Sequence, residues 1–119
     1  MQSIALTLAA LIAAPQSADG YGAIKTRLDA SVNVAGIFLS DAQYAFDANN
    51  TKEGCRQLRL ARKELINAGE MLNQLSAMPE ADSSESERSM INGAIRDAQN
   101  ALGSQNATLN DRCQNYPEE

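Results

Sequence analysis

The chain has 119 residues, a formal net charge of -5, no histidine and no tryptophan; 44% of it is hydrophobic but only 4% aromatic. One domain is all that this length accommodates, and the acidic balance excludes nucleic acid and anionic lipid as main partners, since both recruit dense basic surfaces. The absent imidazole removes Ser-His-Asp and Cys-His catalysis, His-ligated zinc, Glu-x-x-His di-iron sites and the usual axial ligand of haem-binding bundles.

The first element is an apolar run from Ile4 to Ala14, followed by Pro15 and the small residues Ser17 and Ala18. This is the layout of a secretory signal, with cleavage expected after Ala18 and the remaining chain beginning near Asp19. A basic residue ahead of the run is missing and Gln16 stands where a small residue is preferred, so an ordinary buried N-terminal helix is the alternative. The run is too short to span a bilayer, which takes about 20 apolar residues. Residues 1-18 are thus read as a signal peptide and 19-119 as a single helical domain, placed in the periplasm or outside the cell.

From Ile24 to Phe46, apolar or small residues recur at Ile24, Leu28, Ser31, Ala35, Phe38, Ala42 and Ala45, with Val32, Leu39 and Phe46 widening the stripe. Steps of three and four predict an amphipathic helix with that face inward. The same segment carries Val34, Ile37 and Tyr44 on a second strip displaced from the first. A three-helix bundle cannot cover every side of one member. Either a further element, such as the N-terminal segment, buries the strip, or another chain meets it, in a protein partner or by self-association.

Asn49-Asn50-Thr51 interrupts the pattern, and Asn50 or Thr51 is suited to cap the next helix. Asp47 to Glu53 resembles the opening of a calcium loop, but Lys52 and Leu58 stand where such a loop needs Gly and Glu, so a capped turn is the better reading. The second helix is expected to run to about Ala77, on a heptad seam of Leu58, Ala61, Leu65, Ala68, Leu72 and Leu75. Arg56, Arg59 and Lys63 line its outer face, either as a basic patch for an acidic partner or as a solvated face paired with nearby acids.

Pro79 ends that helix, Glu80 to Glu87 forms an acidic connection, and Ser83 or Ser84 caps the third helix. Ile91, Ile95, Ala98, Leu102, Gln105, Leu109 and Tyr116 continue on the three-four pattern, with a stop before Pro117. The fold predicted is all-α, an antiparallel three-helix bundle built from a long hairpin and a packed helix.

Cys55 near the start of helix two and Cys113 near the end of helix three fall at one end of an antiparallel pair, so a disulfide is expected there. Without a Cys-x-x-Cys, redox catalysis is not expected. Glycines are scattered singly, with no phosphate-binding loop. No reactive constellation or cofactor site emerges. The function expected is a non-catalytic exported binding or adaptor module acting through helix faces. A carrier of small apolar ligands between Ala-rich helices, or an enzyme of unrecognised type, are the alternatives.

Overall fold

The computed structural model describes residues 20-118. The signal-like segment therefore lies outside the described residues. Three α-helices follow one another: α1 (Tyr21–Asp47), α2 (Thr51–Ser76) and α3 (Glu85–Arg112), with a 3-10 turn at Pro79–Asp82 between the last two. The described residues form the predicted antiparallel three-helix arrangement. α2 is its central member, with α1 packed along one flank and α3 along another.

The two connections are short because the sequence supplies their hydrogen bonds. At the end of α1, Asn49 takes a φ of 60°, a left-handed conformation that asparagine tolerates better than most residues. Its N–H donates to the Phe46 carbonyl at 3.0 Å and that of Asn50 to the Ala45 carbonyl at 2.8 Å, which closes a Schellman motif. The Asn50 side chain then accepts from the Glu53 N–H and opens α2. At the other end Pro79 occupies the first position of the 3-10 turn, where its missing N–H costs nothing. Ser84 caps α3 by accepting from the Glu87 N–H at 3.0 Å.

The predicted seam of α2 is the spine of the core: Leu58, Ala61, Leu65, Ala68, Leu72 and Leu75 are all buried. α1 contributes Ile24, Ala35, Ala42, Ala45 and Phe46. Alanines on both helices keep the backbones close, so the middle of the core is thin and its bulk gathers at the ends. At the Pro79 end Ile24, Leu72, Leu75, Ala81 and Ile91 cluster. At the other end Ala42, Phe46, Leu58 and the two cysteines cluster.

Two sequence readings are corrected in detail. Val32, assigned to the inner stripe of α1, is 48% exposed. On the helical wheel it falls at the edge turned toward α3, which packs on α2 rather than along α1, so little covers it there. α3 stops before Pro117 as expected but already at Arg112, with Cys113 as its C-cap, short of the Tyr116 that the pattern included. Tyr116 consequently lies beyond the helix, in a turn whose N–H bonds to the Cys113 carbonyl. Finally, Gln105 is buried as the pattern implied, yet neither its amide nitrogen nor its oxygen has a hydrogen-bond partner among the described residues.

Candidate functional site

The predicted bridge between Cys55 and Cys113 is present, with a Cα–Cα distance of 5.7 Å and a sequence separation of 58. It ties the second turn of α2 to the C-cap of α3. Phe46 stands beside it. The ring lies so close to Gly54 that a Cβ at that position would come within 2.6 Å of the ring carbons. The Arg112 guanidinium covers the ring at 4.1 Å from its centroid, a cation–π contact at the negative end of the α3 dipole.

The basic residues singled out in α2 gather beside this end. Arg56, Arg59 and Lys63 line an open groove of about 770 Å³, with Leu60, Tyr116 and Glu118 among its other walls. Much of their charge is already engaged. Arg56 donates twice to Glu53, at 3.0 and 2.7 Å. Those bonds and one from Gln57 draw the Glu53 carboxyl down to about 2. Arg59 donates to the Cys113 carbonyl at 3.5 Å, and the acidic tail forms part of the wall. The patch thus reads as a charge-balanced surface that also steadies the disulfide end.

The outer strip of α1 is different. Tyr44 is 79% exposed, Ile37 60% and Val34 37%. At about 100° per residue, Ile37 lies roughly 150° round the axis from Ile24 and Ala35, which face the core. Ile37 and Tyr44 are separated by two turns, and Val34 sits one turn below Ile37. α1 therefore carries an exposed apolar strip apart from the face that the bundle buries. Other large exposed apolar residues, Ile66, Met90 and Tyr116, stand on α2, α3 and the tail.

Three open depressions on the described surface all carry charged residues in their walls. Among the described residues, no three carboxylate or thiol side chains converge as a metal site would require. No described helix is long and apolar enough to cross a membrane. Comparison with protein-family models, with curated proteins and with solved structures finds no match for this chain.

Proposed function

We propose that this protein is a non-catalytic binding or adaptor module of the bacterial envelope or extracellular space, which works by docking the outer face of α1 on a protein surface. The observation that carries the reading is the exposure of Val34, Ile37 and Tyr44 on a helix whose opposite face already fills the core. Tyr44 is the natural anchor, since its ring buries area while its hydroxyl keeps a hydrogen bond. Export is supported by the Ile4–Ala14 run and by the disulfide, a bond that persists in oxidising compartments. The carrier alternative would need an apolar cavity between helices, whereas the depressions described above are open and charged.

The test is Ile37→Glu in protein recovered from the native envelope fraction, where mass spectrometry should find an N-terminus near Asp19. The substitution should abolish association while leaving helical circular dichroism and melting temperature nearly unchanged, because exposed changes typically cost within about 0.5 kcal/mol. Loss of helicity in the variant would show that the strip is core and defeat the reading.

A further inference from the structure

The exposed strip of α1 is longer than its three large residues. Ala23, Arg27, Ala30, Val34, Ile37, Asp41, Tyr44 and the C-cap residue Ala48 follow one another in steps of four and three throughout. All eight are exposed. Apolar residues at such steps make the seam of a two-stranded coiled coil; here all but Arg27 and Asp41 are alanine or a larger apolar residue, over about 38 Å at 1.5 Å per residue. It runs the whole length of the helix on a flank of the buried face, and near its start Arg27 and Ala30 share an open depression with Asn67, Glu70 and Gln74 of α2.

The charges on the seam select its partner. In a parallel, in-register pair of copies, Arg27 would face Arg27 and Asp41 would face Asp41, which is repulsive in two layers. In an antiparallel pair centred between Val34 and Ile37, the layers become Val34 against Ile37, Ala30 against Asp41, Arg27 against Tyr44 and Ala23 against Ala48. Arg27 then lies over the Tyr44 ring of the second copy, one layer from its Asp41, so opposite charges meet at both ends. This register uses the full seam. Small residues at its ends let the helices approach, while Val34 and Ile37 fill its centre. Of the flanking positions Thr26, Asn33, Ser40 and Asp47, the first three are polar and uncharged and Asp47 ends the row, while the opposite flank, Ile24, Ser31, Phe38 and Ala45, is turned toward the bundle's own core.

We propose that the partner of this face is a second copy of the chain, paired antiparallel through α1 about the midpoint between Val34 and Ile37. The proposal rests on the reading of α1 as a docking face and adds its occupant. With three large side chains per copy, the interface falls at the small end of specific contacts, and the dimer forms and dissociates with concentration.

Sedimentation equilibrium of the oxidised protein should show a monomer–dimer equilibrium. Asp41→Lys should weaken it at least tenfold by placing a cation near the other copy's Arg27, and the double exchange Arg27→Glu with Asp41→Lys should recover most of the loss. Val34→Cys and Ile37→Cys, prepared separately and mixed under oxidising conditions, should cross-link to each other faster than either does to itself. Faster self-linking of Val34→Cys would indicate a parallel pair and overturn the proposal. A protein that stays monomeric at every concentration would overturn it as well. If that monomer still binds a different protein and loses the binding in Ile37→Glu, only the self-pairing fails. If Ile37→Glu unfolds, the docking reading fails with it.

Discussion

The two ends of the bundle are fastened by different chemistry. At the disulfide end, the bridge from Cys55 to Cys113 and the stack of Gly54, Phe46 and Arg112 leave few ways for α2 and α3 to part. At the Pro79 end no covalent bond exists. There, a cluster of Ile24, Leu72, Leu75, Ala81 and Ile91 is overlaid by polar contacts: the Tyr21 hydroxyl and Lys25 both donate to Glu87, tying α1 to α3. Arg88 adds bonds to Asp82 and to the Ser76 hydroxyl and carbonyl, which fix the turn. The covalent end works largely by restricting the unfolded chain. The other end depends on contacts that exist only when folded. The first should therefore be insensitive to pH above the carboxylate range, where Glu53 stays ionised, and the second should not.

Removing the bridge is the largest perturbation. A 58-residue separation corresponds to about 4 kcal/mol in the chain-entropy description, so Cys55→Ser with Cys113→Ser should lose about that much in urea melts. The loss should appear as increased unfolding with helical content retained in the native state. A change well below 1 kcal/mol would mean that the unfolded chain is already restricted, and the contrast between the ends would collapse. The next effect in size is Gly54→Ala. Alanine favours a helix by about 1 kcal/mol over glycine, but here its methyl would meet the buried Phe46 ring, and overpacking costs typically 1–3 kcal/mol. The net result should be destabilising by about 1 kcal/mol. Gly103→Ala, where nothing stands within 4 Å, should stabilise by a similar amount. If both alanines stabilise, the Phe46 ring moves aside at little cost and the end is softer than its geometry implies.

Much of this architecture was legible in the residues. The heptad of α2 named its buried seam, and the mirrored cysteines named their bond, because both follow from spacing along helices. Asn50 and Ser84 as caps follow from local hydrogen bonding alone. What escaped depends on how helices sit against each other. Nothing in the spacing says that α3 packs beside α2 without covering α1, so Val32 was placed inward and Tyr116 was given to the helix. The Phe46 stack on Gly54 is a tertiary approach with no periodic signature. Glu87 was legible as the end of an acidic connection, but not as the acceptor for two groups on α1. The outer strip of α1 was legible through Val34, Ile37 and Tyr44. Its full seam emerged only when exposure separated the residues of one face from those of the other.

The smallest effect is also the most selective test of the Pro79 end. Burial, and then the hydrogen bond to Glu87, push the Tyr21 hydroxyl up to about 12. In the unfolded chain it ionises near 10. Because the folded protein holds this proton more tightly, its contribution is complete below about pH 10 and is lost as pH rises toward 12. Glu87 works in the opposite direction: bonds from Tyr21 and then Lys25 hold its carboxyl below the ordinary range. Its contribution is complete above the unfolded carboxylate value of about 4.3 and falls away as pH drops below that. The acid side is shared with Glu53 and Asp82, which Arg56 and Arg88 also hold low. The alkaline side is therefore the informative one. Melting temperatures should decline above pH 10, and absorbance near 295 nm should show one tyrosine ionising late. Tyr21→Phe should remove the late step and flatten the decline while costing a few degrees at neutral pH. An unchanged alkaline limb in that variant would mean that the contact from Tyr21 to Glu87 does not hold α1 to α3, leaving the apolar cluster alone to close that end.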